Sequence, residues 1–287
     1  MKTAARAAMV VALLATLIAH PLPAGASDDA PGTTEHTIAM GGWERPYLLH
    51  VPPGRRPGKA LPLIVAMHGG LNDAEYVRRQ SGLDEVADRE GYAVAYPNGF
   101  LGTWNAGACC SFARWAGIDD MGFLDELIAT LVRQGVADPR RVFMTGFSNG
   151  GGMAYRYACE RSGRIAGIAV VSGALAIGCT PDHPVSVLAF HGTWDPSVPY
   201  SGGGNMDADV KFPFIAVRVV MEFWRWVDKL PALSWPLPGG QDDCVGTGPG
   251  PVVVALCTKE RGGHEWPDYA SGLLARFFSE RPSLPEA

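Results

Sequence analysis

The sequence is short of basic charge: 24 Lys and Arg stand against 29 Asp and Glu in 287 residues, a formal net charge of −5 with histidine neutral. Duplexes and anionic membrane surfaces are bound largely through clustered positive side chains. With no basic run to supply them, nucleic acid and stable membrane association are not expected. A long apolar run is lacking too, since the stretch Ala7 to Ala19 falls short of the ~20 residues that cross a bilayer. Lys2 and Arg6 precede that stretch and the small-residue pattern Ala24-Gly25-Ala26 follows it. Residues 1–26 therefore read as a signal peptide, leaving 27–287 as a single α/β catalytic domain that is secreted and monomeric. No cysteine follows the cleavage site to carry a lipid anchor. Histidine and cysteine are absent at zinc-site spacing, so neither metal nor cofactor is expected. Repeats, low-complexity linkers and coiled-coil heptads are also missing.

What is present begins with six cysteines, Cys109, Cys110, Cys159, Cys179, Cys244 and Cys257. An even number in an exported chain points to as many as three disulfides. Cys244 and Cys257 flank the Gly/Pro-rich turn Gly246 to Pro251 and form the favoured pair. Neighbouring cysteines rarely bridge each other, because so short a backbone resists disulfide geometry. Cys109 and Cys110 are therefore expected to reach two different partners.

Short apolar segments alternate with helical ones. Thr34 to Met40 and Trp43 to Val51 flank Gly41-Gly42, a hairpin signal. Buried-strand patterns follow at Leu61 to Met67, Tyr92 to Tyr96, Val142 to Thr145, Ile165 to Val171, Val185 to Phe190 and Val252 to Cys257. Between them, spacing near 3.6 residues predicts helices over Gly82 to Glu90, Met121 to Arg133, Asn149 to Glu160, Phe212 to Leu230 and Tyr269 to Ser279. In the Phe212 to Leu230 helix, Phe223, Trp224 and Trp226 are spaced for core packing. Such alternation argues for a mostly parallel sheet covered on both faces, with the hairpin adding antiparallel strands at one edge. Glycines gather at strand ends, where open α/β sheets place their active sites.

One of those ends carries Gly146-Phe147-Ser148-Asn149-Gly150, directly after a strand and directly before a helix. In that context G-x-S-x-G is a nucleophile elbow: a sharp turn with room for glycine alone on either side, lifting the serine oxygen clear of the sheet. The helix starting at Asn149 points free amides at the charge that develops on a substrate oxygen. A serine hydroxyl needs a base, and the base needs an acid to orient it. In the order serine, acid, histidine, Asp195 follows the strand Val185 to Phe190 and His264 follows Val252 to Cys257. Asp242 and Asp243 rival Asp195 for the acid. His68 precedes the serine and His191 precedes the acid, so both are expected to hold loops by hydrogen bonds, while His183 is expected in solvent. Asp119, Asp120 and Asp125 are expected to cap or support a helix. The oxyanion hole would use the amide of Asn149 and that of Gly70 or Leu71. Trp104, Phe147, Trp194 and Trp266, with Tyr200, are candidate walls of a substrate pocket.

These segments resemble the secreted esterase family of polyhydroxybutyrate depolymerases and the related feruloyl and acetylxylan esterases, which is similar to carbohydrate esterase family 1. The likeness runs through Ala66-Met67-His68-Gly69-Gly70, Tyr96-Pro97-Asn98-Gly99, Trp104 to Cys110 and Asp119-Asp120-Met121-Gly122-Phe123. It is closest in Thr145 to Tyr155, and ends in His191 to Tyr200 and Gly262 to Pro267. The resemblance implies an α/β-hydrolase fold, extracellular ester substrates and disulfides involving the Cys109-Cys110 region. It also implies that Ser148, Asp195 and His264 act as nucleophile, acid and base. Without an appended binding domain, polyester oligomers are easier substrates to expect than a crystalline solid. Feruloylated or acetylated polysaccharides are the alternative. A serine peptidase of the same fold is the second alternative, for whose gating domain residues 27–60 leave little room.

Overall fold

In the strand over Leu61–Met67, Leu61, Leu63, Val65 and Met67 join one buried cluster, and Ile64 and Ala66 join another. A strand apolar on both sides has to be covered on both sides, and this requirement organises the molecule. The computed structural model describes residues 32–56, 58–204, 213–241 and 243–285, so the expected signal peptide and Asp242 lie outside the described residues.

The elements in chain order are β1 (Gly32–Met40), β2 (Trp43–Val51), β3 (Leu61–Met67), α1 (Ala74–Ser81), α2 (Leu83–Glu90), β4 (Ala93–Pro97), α3 (Ser111–Trp115), α4 (Asp120–Arg133) and β5 (Ala137–Phe147). They continue with α5 (Asn149–Glu160), β6 (Gly167–Val171), β7 (Ser186–Gly192), α6 (Val217–Val227), β8 (Trp235–Pro236), β9 (Asp243–Gly246), β10 (Val254–Lys259) and α7 (Ala270–Ser279). The strands form one sheet in the order β1-β2-β4-β3-β5-β6-β7-β10-β9-β8. From β4 to β10 every neighbour is parallel, and the β1–β2 hairpin joins that block antiparallel at one edge, as the alternating sequence pattern predicts. Helices α4, α5 and α6 cover one face, and α1, α2 and α7 the other.

Several expectations shift. The helix expected over Gly82 to Glu90 is α2, and an unexpected helix, α1, precedes it; the two meet at Gly82, whose φ of 57° breaks the ladder. The Asp73 carboxylate starts α1 by accepting from the Tyr76 amide. A second antiparallel edge, β9 and β8, was hidden by Gly/Pro-rich composition. On α6, Trp224 is buried but Trp226 is 72% exposed, because its position turns it away from the sheet.

The six cysteines pair as Cys109–Cys110, Cys159–Cys179 and Cys244–Cys257. Cys244 and Cys257 are register partners on β9 and β10, as the flanked turn suggests. Cys109 and Cys110 bond to each other instead of to two partners. The other four cysteines are consumed pairwise elsewhere, which leaves each its neighbour.

Asp119 and Asp120 start α4. Asp119 accepts from the Gly122 amide as the helix cap, while Asp120, fully buried, accepts from Arg45 Nη2 at 2.7 Å and from the Asn105 amide at 2.7 Å. The Arg45 guanidinium lies 3.9 Å from the Phe123 ring centre and also donates to the Asn98 carbonyl. Removing one charge from a buried pair leaves the other uncompensated, at a cost of about 3–5 kcal/mol. Asp120→Asn should therefore lower the unfolding free energy by about 3 kcal/mol in urea titration. A loss below ~1 kcal/mol would show that the pair is dispensable.

Candidate active site

The chain turns sharply between β5 and α5, and Ser148 sits in the turn with φ 52° and ψ −115°. L-residues rarely adopt that backbone, which costs of order 1–3 kcal/mol and persists only where the surroundings enforce it. Here they do. A Cβ on Gly146 would strike the Gly150 and Gly151 backbone, and one on Gly150 would strike the carbonyls of Met67 and His68. The Ser148 amide donates to the Val171 carbonyl at 2.9 Å, tying the turn to β6. As the first helical residue, Asn149 has no carbonyl within α5 for its amide.

The residues expected as acid and base are carried by the loops after β7 and β10. Asp195, its side chain fully buried, accepts from His264 Nδ1 at 2.7 Å through Oδ2. Its Oδ1 accepts from the amides of Ser197 and Val198, both at 2.8 Å. Burial pushes the Asp195 carboxyl up, but hydrogen bonds from His191, His264 and the Val198 amide outweigh it and hold the group well below the usual carboxylate range. Because Nδ1 of His264 is engaged by Asp195, Nε2 is the nitrogen left to exchange protons. The Phe147 ring lies 4.7 Å from the imidazole centre.

His191 departs from the role expected of a simple loop holder. Its Nε2 donates to the Val198 carbonyl at 2.8 Å and also approaches Asp195 Oδ2 at 3.4 Å. Sequence order set His191 aside as a base. Folding brings it to the acid as a further donor, through a loop that doubles back four residues later. His183 is exposed, as expected, while Asp243 lies in β9, between β10 and the edge strand β8.

A second network frames the loop after β3. The Gly99 amide donates to His68 Nε2 at 2.9 Å, which places the ring proton on Nδ1, and Nδ1 donates to the Gly69 carbonyl at 2.7 Å. Burial is the main reason that His68 is pushed down to about 4 from its usual 6.5. The Trp104 indole donates to the His68 carbonyl at 3.0 Å. Asn149 grips the Trp104 backbone from both sides, Oδ1 accepting from its amide at 2.7 Å and Nδ2 donating to its carbonyl at 3.0 Å. The Leu71 amide donates to Gly102 at 2.7 Å.

A cavity of about 390 Å³ brings together Ser148, His264, Asn149, Gly70 and Phe147. Of the five aromatic residues expected to wall it, Phe147 does and the other four do not. Trp104 is wholly buried behind it, bonded to His68. Trp266 packs into the core with its indole on Ser271, and Trp194, 66% exposed, points to solvent beside Arg261. The Tyr200 hydroxyl bonds Thr258 Oγ1. The walls are instead small or turned in from distant loops: Ala106, Gly152, Ala174, Ala176, Val198, Phe214 and the Cys109–Cys110 pair. Alanine and glycine carry no chemical signal in a sequence. The resemblance through Trp104 to Cys110, Thr145 to Tyr155 and His191 to Tyr200 covered some of these segments, but none of these wall residues was singled out as lining a pocket.

The sequence pattern described as esterase PHB depolymerase matches residues 45–188. The "Putative esterase NocK" of Nocardia uniformis subsp. tsuyamanensis is 31% identical over 259 residues, covering 82% of this chain and 74% of that protein. Feruloyl esterase B of Piromyces equi is 30% identical over 254 residues, covering 84% of this chain, which spans 46% of that enzyme's length. Among solved structures, acetyl xylan esterase from Aspergillus awamori superposes with a TM-score of 0.62 at 16% identity, over 86% of this chain and 99% of that one. That likeness shows the α/β-hydrolase fold. With the family pattern spanning half of the sequence and containing the elbow, the chain belongs to the esterase PHB depolymerase family, carboxylic-ester hydrolases on an α/β-hydrolase scaffold.

Proposed function

We propose that Ser148, His264 and Asp195 hydrolyse esters through an acyl-enzyme, and that the amides of Asn149 and Gly70 hold the oxyanion. The observation that carries this reading is one cavity lined by both Ser148 and His264, with Asp195 buried and ionised 2.7 Å behind the imidazole. Of the two candidates for the second oxyanion donor, Leu71 already gives its amide to Gly102, which leaves Gly70.

Nε2 of His264 takes the Ser148 proton as Oγ bonds to the ester carbon. The imidazolium formed is stabilised by a carboxylate that its surroundings keep charged. When the tetrahedral intermediate collapses, the bond to the alcohol oxygen breaks and His264 returns the proton to that oxygen. Water then releases the acid by the same path. His191 and the Ser197 and Val198 amides keep Asp195 fixed and anionic, and the Asn149–Trp104–His68 network fixes the backbone around both oxyanion donors.

The substrate class that fits best is a hydroxyalkanoate ester, of the kind the family name describes, taken as soluble oligomers. Feruloyl esters are the second reading, favoured by the relative from Piromyces equi. We read residues 27–287 as one catalytic unit, secreted after loss of residues 1–26. Three disulfides support export, since such bonds persist in oxidising compartments.

Ser148→Ala should lower kcat for p-nitrophenyl butanoate by on the order of 10⁵ or more with the fold intact by circular dichroism. Full activity in that variant would refute the assignment. Asp195→Asn should cost about 10³–10⁴ in kcat by presenting the wrong tautomer, whereas Asp242→Asn and Asp243→Asn should stay within about threefold of the parent. The reverse ranking would move the acid to the later loop. His68 gives a stability test. The unfolded chain takes up its proton near 6.5 and the folded one only near 4, so the unfolded state binds more protons between those values. Stability should therefore fall as pH drops through that window, by up to ~1.4 kcal/mol per unit from this group. His68→Gln should flatten the decline in urea unfolding measured from pH 7 to 4, and an unchanged slope would count against a neutral buried imidazole.

A further inference from the structure

Beside the catalytic cavity lies a second one of about 210 Å³, and the two share Cys109, Ala176 and Phe214. They therefore adjoin along these three residues. The catalytic cavity offers polar side chains, but none lines the side cavity: every residue around it, Leu175, Ile177 and Ile215 included, is apolar or glycine. Its walls are also tied in place. The Ala108 amide donates to the Ala176 carbonyl at 2.8 Å, and Phe214 exchanges two backbone hydrogen bonds with Gly203 at 2.8 and 2.9 Å. The Cys159–Cys179 disulfide anchors the segment that follows Ile177 to the end of α5.

We propose that this side cavity is the acyl subsite, and that it selects esters whose acid part carries a hydrocarbon tail or ring of about six or seven carbons. The proposal rests on the reading of Ser148 as nucleophile and names the part of the substrate that the site discriminates. Size sets the length: 210 Å³ holds about seven groups of water or methylene size at roughly 30 Å³ each. An acetyl group leaves it empty. A sugar would bury several hydroxyls against walls that carry no polar side chain, which is costly. The reaction sets the side. His264 gives its proton to the departing alcohol, so the alcohol lies toward His264. The side cavity contains no residue of the loop that carries His264 and adjoins the catalytic cavity at Cys109, Ala176 and Phe214.

The test is kcat/KM of the full chain on p-nitrophenyl acetate, butanoate, hexanoate and dodecanoate. A fully buried methylene is worth about fourfold, the equivalent of ~0.8 kcal/mol, so hexanoate should exceed acetate at least tenfold and dodecanoate should fall back. Ala108→Leu, which fills the cavity, should cut the hexanoate-to-acetate ratio at least fivefold. Ile177→Ala, which enlarges it, should move the optimum to a longer chain and serves if the first variant folds poorly. A flat profile, or ratios unchanged in the variants, overturns the subsite alone while Ser148→Ala remains inactive. Hydrolysis that survives Ser148→Ala overturns the nucleophile, and the subsite with it.

Discussion

The site depends on one close approach, that of the first turn of α5 to the end of β3. At Gly150 the helix backbone lies against the carbonyls of Met67 and His68 with no space for a side chain. That contact holds Ser148 in a backbone it would otherwise leave. It also sets the Asn149 amide beside the loop that carries Gly70, so the proposed nucleophile and both proposed oxyanion donors share one steric constraint. Two loops from the opposite half of the sheet then need only deliver an imidazole and its carboxylate.

Around that contact, polar groups that the chemistry does not use are spent on fixing backbone. Asn149 closes on Trp104, Trp104 on His68, and His68 on Gly99. The Asn98 carbonyl accepts from Arg45, which pairs with Asp120, and Asp120 in turn holds the Asn105 amide next to Trp104. The chain of bonds forms a loop through the interior, from the sheet edge to the elbow and back. Preorganised dipoles act on a developing charge without reorganising when the reaction occurs, and these buried bonds are what can hold the amides still.

Asp195 illustrates the same economy on the other side. A carboxylate so buried would ordinarily be neutralised. Four donors, two imidazoles and two amides, keep it ionised instead. Two of them come from Val198 and from His191, which Val198 itself anchors. The loop thus carries both the acid and the groups that keep it charged.

The elbow was legible in the sequence because its constraint is local: glycine on each side of Ser148, a strand before and a helix after. Strand alternation was legible for the same reason, since side-chain direction follows the neighbouring residues in the chain. Asp195 and His264 could be picked by order, but the bond between them joins residues 69 apart and exists only once β7 and β10 lie side by side. Trp104, Trp194 and Trp266 could not be sorted into wall, support or surface from their types, because a large ring packs equally well in any of the three. Beside Phe147, Val198 and Phe214, the walls include alanines, glycines and a cysteine pair, which acquire meaning from what faces them. The chain's local geometry determined where the nucleophile stands; only long-range packing decided what surrounds it, because a cavity is a property of surfaces that meet.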